Sequence, residues 1–336
     1  MKKAIPSLFA VVLALTVAGC SESKTPANNA SSEAAARAKV AENPSVNAAT
    51  GNAAVNAANA SAANTTAGNA VGANSAVATH SAEAAAPAGT KTVTLANGAS
   101  VTWIQDNEGK KLMPRELFSD ASDSLYASLN MPAGIPASVS TFLVKVDGKL
   151  ILFDAGLGAW GGQLAKRLDA LNVNPDSVGL VYLTHFHADH IAGLVKNGTA
   201  GKMEKVFKNA AVYAGKVEYD AWMNKIPKND LQKNIMTLYK DSLHLFAFGD
   251  SLPHGVLAMD AVGHTPGHTA FQISNLLVIG DLMHGYALQK NHPEINSNYD
   301  MDKAKSAESR KRIMQYARDN KLLMAGMHLP PPGFAE

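Results

Sequence analysis

Thr184-His185-Phe186-His187-Ala188-Asp189-His190 follows directly on the apolar run Gly179-Leu180-Val181-Tyr182-Leu183. Three imidazoles and a carboxylate fall within six residues at the end of a strand-like segment. Such groups, buried without partners, cost several kcal/mol in lost solvation. A divalent cation removes that cost by taking them as ligands. On an extended strand end, His185 and His187 stand two residues apart and face the same side.

Three more strand-like runs end in candidate ligands. Val256–Val262 leads to Gly263-His264-Thr265-Pro266-Gly267-His268. Phe271–Ser274 and Leu276–Ile279 lead to Gly280-Asp281, and Leu322–Ala325 leads to Gly326-Met327-His328. A lone His264 or His328 would more often be an ordinary core or surface histidine. Four strand ends that all present ligand types give each of them weight.

Upstream, Thr92–Leu95, the turn Asn97-Gly98 and Val101–Ile104 read as a hairpin. Residues 107–137 show no clear period, and Met131–Pro136 is loop-like. Phe142–Val146, Asp147-Gly148 and Leu150–Phe153 form a second hairpin pattern that runs into Asp154-Ala155-Gly156-Leu157-Gly158. No G-x-G-x-x-G spacing opens a helix there, so a nucleotide loop is excluded. Asp154 either orients a ligand histidine or caps the glycine loop. Helices are expected at Gln163–Leu171, Val217–Met223, Asp230–Leu238 and Asp302–Asp319, with a strand at Ala211–Ala214. Hairpins, then strand–helix alternation, then strands again imply an α+β fold, with two sheets face to face and helices outside.

The 336 residues carry a formal net charge of +2 and 46% hydrophobic content. Without a basic block, nucleic-acid binding is not expected. Lys2, Lys3 and the apolar stretch Leu8–Val17 read as a secretion signal, too short for a membrane span. It ends in Val17-Ala18-Gly19-Cys20, which resembles the bacterial lipobox, and Cys20 is the only cysteine. Residues 1–20 are therefore expected to be a lipoprotein signal, with a lipid anchor on Cys20. Ser21 in place of aspartate resembles the sorting pattern for the outer membrane, so the protein is placed at the bacterial cell envelope, facing the periplasm or the exterior. Residues 21–90 are rich in Ala, Asn and Ser and lack aromatics. They read as a disordered tether spanning roughly 45 Å. Residues 91–336 form the expected globular domain.

His185-Phe186-His187-Ala188-Asp189-His190 resembles the H-x-H-x-D-H hallmark of the metallo-β-lactamase superfamily, and the motifs at His264, Asp281 and His328 resemble its later landmarks. Gly280-Asp281-Leu282-Met283-His284 and Ala325-Gly326-Met327-His328-Leu329-Pro330 resemble methyl parathion hydrolases and lactonase-like relatives. The resemblance implies a four-layer αββα sandwich. It also implies one metal on His185, His187 and His264, a second on Asp189, His190 and His328, and Asp281 bridging both. Zinc is the default, with Mn, Co or Fe also suited to such N/O ligands. The family's second histidine, His268, supports its turn and is left out of the ligand set.

The implied activity is hydrolysis of a small-molecule ester, lactone or organophosphotriester by a metal-bridging hydroxide, with Asp189 as ligand and proton acceptor. Trp160, Phe118, Phe186 and His284 flank the ligand loops and are the substrate-binding candidates; for the aromatics, core packing is the alternative. Three other readings stand beside this one: a non-catalytic metal-binding envelope lipoprotein, a thioester hydrolase of the glyoxalase II type, and a redox enzyme of the same fold. Relatives usually continue past the proline-rich turn, so either the closing strand is expected to be missing or the chain to be cut short. The oligomeric state, including a homodimer, is left open.

Overall fold

The computed structural model describes residues 86–336; the expected signal and most of the tether lie outside the described residues. The path begins β1 (Thr90–Thr94), β2 (Ser100–Gln105), β3 (Lys111–Met113), α1 (Asp123–Leu129), β4 (Ile135–Ala137), β5 (Ser140–Val146) and β6 (Lys149–Phe153). It continues α2 (Leu164–Ala170), β7 (Val178–Leu183), α3 (Ala188–Ile191), β8 (Val195–Asn197), β9 (Met203–Lys205), β10 (Ala211–Gly215), α4 (Lys216–Asn224), α5 (Asp230–Tyr239) and β11 (Leu243–Phe246). It closes with β12 (Ser251–Leu252), β13 (Val256–Asp260), β14 (Thr269–Ile273), β15 (Leu276–Gly280), α6 (Tyr286–Gln289), α7 (Lys303–Asp319), β16 (Leu323–Gly326) and β17 (Phe334–Ala335).

Seven strands form one sheet in the order β1-β2-β5-β6-β7-β10-β11, and six form a second in the order β12-β13-β14-β15-β16-β17. The central strands are apolar on both faces, which is why they read as continuous runs rather than alternating ones. In β7, Tyr182 joins the cluster between the sheets, with Phe153, Phe271 and Val278. Its neighbours Val181 and Leu183 point the other way and pack with Leu168, Trp222 and Ile235 under α2, α4 and α5. In β15, Val278 faces the first sheet while Leu277 and Ile279 pack with Ile313, Met314 and Ala317 of α7. The result is the four-layer αββα sandwich of the metallo-β-lactamase fold.

Two parallel pairs decide where the chemistry goes. β6 runs parallel beside β7, with Phe153 opposite Tyr182, so Asp154 emerges next to Thr184. β15 runs parallel beside β16, with Gly280 opposite Gly326, so Asp281 emerges near His328. The amide of Thr269 donates to Thr184 O at 2.9 Å and joins the two sheets at this edge. Gly280 has φ +52°, and a Cβ there would run into the His268 ring and Thr184. Glycine is thus what lets the chain turn Asp281 into the gap.

Three parts differ from expectation. Residues 107–137 do contain order, as the β3–β4 ladder and the short helix α1. Three-residue strands carry too few positions for a period to show. The edge strand β11 went unread because it is four residues long and His244 interrupts its apolar run. The closing strand is present: β17 pairs antiparallel with β16, Phe334 opposite Ala325.

Candidate metal centre

All seven expected ligands converge at that edge. Ligand atoms of His185, His187, His264 and Asp281 lie within 4.8 Å of one another, and those of Asp189, His190 and His328 form a second such group. In the first group His187 Nδ1 lies 3.0 Å from His185 Nε2 and 2.9 Å from His264 Nε2. Asp281 stands between the groups. Its Oδ2 is 3.3 Å from His264 Nε2 and 3.1 Å from His328 Nε2, while Oδ1 is 3.1 Å from His190 Nε2. Asp189 Oδ2 lies 3.4 Å from His328 Nε2, and Oδ1 lies 3.8 Å from His190 Nε2.

The outward nitrogens are held too, which fixes which ring atom faces the gap. His190 Nδ1 contacts Asp154 Oδ2 at 2.7 Å. Thr184 Oγ1 donates to the same carboxylate at 2.7 Å and lies 3.0 Å from His185 Nδ1. His264 Nδ1 faces Asp300 Oδ1 at 3.1 Å, and His328 Nδ1 faces the Ser138 carbonyl at 2.8 Å. Asp154 therefore orients one histidine from each group, and its φ of +57° belongs to the turn that aims it. His268 bonds to Ala261 O at 2.9 Å and accepts from the Asp281 amide at 3.0 Å. It holds the backbone of Asp281 and keeps its ring out of the gap.

The electrostatics ask for positive charge. Burial disfavours charge on every group here. Even so, the Asp281, Asp154 and Asp189 carboxylates together hold His190 well above the ordinary imidazole value. Contacts with Asp281 and Asp189 outweigh burial at His328 and lift it to about 10. Burial, then the neighbouring imidazoles, push His187 down to about 3, and burial does the same to His268. Asp281 stays well below the ordinary carboxylate range despite its burial, because His190, His328 and His284 surround it. A divalent cation supplies that compensation without protons. The fit is local as well as electrostatic. His190 Nε2 and Asp281 Oδ1 are both buried without a hydrogen-bond partner, yet face each other at 3.1 Å. With the His190 proton on Nδ1, toward Asp154, two lone pairs meet, an arrangement that a shared cation relieves. The His/Asp cluster is thus suited to a divalent metal.

Replacing Asp154 with alanine leaves His190 and Thr184 without their acceptor. Metal affinity is expected to fall about 10–100-fold, the usual effect of losing such a partner, read by competition against a chromophoric chelator. Unchanged affinity would show that Asp154 only closes the glycine loop.

A cavity of about 370 Å³ opens over the cluster, its other walls made by Lys111, Met113, Ala188, His284 and Tyr299. Of the four expected substrate residues, His284 alone lines it. Its Nε2 is 3.2 Å from Asp281 Oδ2, and its Nδ1 is buried without a hydrogen-bond partner. Phe186 points away into the core beneath α5, as the strand alternation between His185 and His187 requires. Phe118 is buried in the small cluster of Met113, Tyr126, Ile135 and Leu288. Trp160 is 58% exposed and borders a separate depression with Ala192 and Leu231. Nearness in sequence to a ligand loop was a poor guide to these three. Lys111 and Tyr299 were missed because they sit in a three-residue strand and a polar loop, where no periodicity marks an inward side. Asp300 was missed for the same reason.

The sequence pattern of the metallo-beta-lactamase superfamily matches residues 134–328, more than half of the chain. Among solved structures, the chain is similar to hydrolase AbOPH of the beta lactamase superfamily, with TM-score 0.64 and 25% identity over 74% of this chain and 92% of that one. It is also similar to AidC, a dizinc quorum-quenching lactonase solved with the product N-hexanoyl-L-homoserine, with TM-score 0.66 and 26% identity over 73% and 92%. A shorter match is to ribonuclease Z of Pyrococcus abyssi, 35% identical over 57 residues, which are 17% of each chain. The chain thus spans under a fifth of the curated relatives it matches. Sequence pattern and sandwich agree: this chain belongs to the metallo-beta-lactamase superfamily.

Proposed function

We propose that the protein is a dinuclear hydrolase of lactones and esters. The observation that carries this is the single Asp281 carboxylate, whose oxygens lie against ring nitrogens of both ligand groups on the floor of an open cavity. His185, His187 and His264 would hold one divalent ion, Asp189, His190 and His328 the other, and Asp281 would bridge them. Such a pair, most simply zinc, supplies a water acidified towards neutral pH and an electrophilic contact for the substrate oxygen. Hydrolysis adds that water across an acyl C–O bond, giving a carboxylate and an alcohol, which stay joined when the substrate is a lactone. Asp189 is the group suited to take the proton: its side chain is 31% exposed, toward the cavity, while His328 steadies one of its oxygens. His284 and Tyr299, with rings 5.6 Å apart, form a wall against which an acyl or alcohol portion can rest. The cavity volume suits a small molecule. Similarity to a dizinc lactonase supports the lactone reading.

The test is a panel on purified, metal-reconstituted protein: acyl-homoserine lactones, aryl lactones, aryl esters, a phosphotriester and a thioester. Lactone or ester turnover is expected, abolished by chelation and restored by two equivalents of zinc. Asp189→Ala is expected to lower the rate about 10²–10⁴-fold, the range of a lost proton acceptor. Preferred turnover of the thioester or the phosphotriester would move the reading to that class, and folded, metal-loaded protein inert on all five would end it.

The same proposal puts the enzyme at the cell envelope on a lipidated Cys20. In a bacterial host, Cys20→Ala is expected to abolish incorporation of labelled fatty acid and to move the protein out of the membrane fraction. Labelling that survives the substitution would count against the anchor.

A further inference from the structure

Glu218, on α4, is 1% exposed and has no role in the chemistry above. Among the described residues it forms no ion pair. Four donors surround it instead. Oε1 accepts from the Phe186 amide at 2.9 Å and from the Trp222 indole at 2.6 Å. Oε2 accepts from the Thr265 hydroxyl and the Gly267 amide, each at 2.8 Å. Phe186 lies between His185 and His187, and Thr265 follows His264. One oxygen therefore holds the first ligand loop and the other holds the second, although the loops leave different sheets. The contact needs glycine at 267, where a Cβ would collide with the backbone of Glu218. From the other side, Gln232 of α5 donates to the Phe186 carbonyl at 2.9 Å, so the backbone of Phe186 is held at both its N–H and its C=O.

We propose that Glu218 is a positioning residue that clamps the two loops together and so sets the approach of His187 to His264, the geometry of one metal site. The proposal rests on the two-ion reading above. A carboxylate suits the position because it offers acceptors only, and four donors point at it. Glutamine would turn an N–H₂ group toward the Gly267 amide, donor against donor. The clamp acts through backbone, leaving the ligand rings free of any direct contact with it.

The experiment takes the full-length protein, strips its metal by chelation and titrates it with Co(II) alone, following the visible d–d absorption. In Glu218→Gln, one of the two equivalents is expected to bind about 10–100-fold more weakly, with an altered absorption for that site, while the other equivalent binds as in the parent. Trp222→Phe removes one donor to the carboxylate, keeps both loop contacts and leaves an aromatic ring beside His187, and is expected to titrate like the parent. Where Glu218→Gln does not fold, Thr265→Val cuts one arm of the clamp, with a smaller weakening of the same equivalent expected. A folded Glu218→Gln that binds both equivalents as the parent does overturns the proposal, as does an unshifted Thr265→Val where that variant stands in, or a Trp222→Phe that loses the same equivalent. A parent that itself takes up only one equivalent overturns the two-ion reading, and this inference with it.

Discussion

Asp281→Ala is expected to leave a folded protein with one equivalent of metal or less and hydrolytic activity reduced by at least about 10³-fold, which is about 4 kcal/mol of barrier. The size follows from what the carboxylate touches. Its two oxygens lie 3.1–3.7 Å from ring nitrogens of His185, His190, His264, His284 and His328. Among the described residues no other acid stands between both groups: Asp189 faces His190 and His328, while Asp154 and Asp300 stand behind the rings. Without Asp281, two dications would sit among neutral imidazoles with one anionic ligand between them. Close like charges in a poorly solvated site repel strongly, so the second ion is the one expected to go. Asp281→Asn separates charge from shape, since it keeps an oxygen but loses the anion. It is expected to fall between the parent and alanine. The measurements are metal content by mass spectrometry and kcat on the best substrate of the panel. Two full equivalents in Asp281→Ala, with a rate within tenfold of the parent, would remove Asp281 from the bridging role.

What could be read from the sequence divides along a physical line. The ligand loops were legible because each follows a largely apolar strand, and an apolar run ending abruptly in His or Asp is rare without a ligand to bind. The sandwich followed from the same strands, since two-faced burial needs layers on both sides. The parallel pairs β6–β7 and β15–β16 were not legible, because register leaves no mark on a strand that is apolar throughout. Those pairs are what set Asp154 beside Thr184 and Asp281 near His328. The cavity wall was read worst. Lys111 and Tyr299 reach it from segments with no periodicity, while Phe118 and Phe186 looked available and are core. Glu218 and Asp300 illustrate the remaining gap. Their partners on the ligand loops lie 32 to 49 and 36 residues away in sequence, and no local pattern records such a pairing.

Arg310→Met is expected to cost the most stability of any single substitution near the site. Arg310 lies on α7 with its side chain fully buried. Its Nε donates to Leu282 O at 2.7 Å, and Nη1 donates to Pro293 O at 2.7 Å and Ile295 O at 3.0 Å. Nη2 reaches Ser306 Oγ at 3.0 Å and Asp300 Oδ2 at 3.3 Å. The guanidinium thereby gathers the segment from Leu282 to Asp300, which has little regular structure of its own beyond α6. Burial pulls its pKa down, and Asp300 opposes that. Asp300 in turn faces His264, whose contact holds the carboxylate at about 2 despite its burial. Methionine fills much of the volume but leaves the Leu282 and Pro293 carbonyls without a donor and Asp300 without its cation, while Ile295 O keeps Gln289. Removing one partner of a buried ion pair costs about 3–5 kcal/mol. For a domain of this size that is a fall in Tm of roughly 10 °C. Lysine keeps the charge but not the planar fork that reaches all five acceptors, so Arg310→Lys is expected to recover only part of the loss. The check is thermal unfolding by circular dichroism on metal-free and zinc-loaded protein. The fall should appear in both, because the cluster around Arg310 is built without the metal. A Tm within about 2 °C of the parent, less than 1 kcal/mol on the same scale, would mean the segment is held by its own turns, and that Asp300 orients His264 without help from α7.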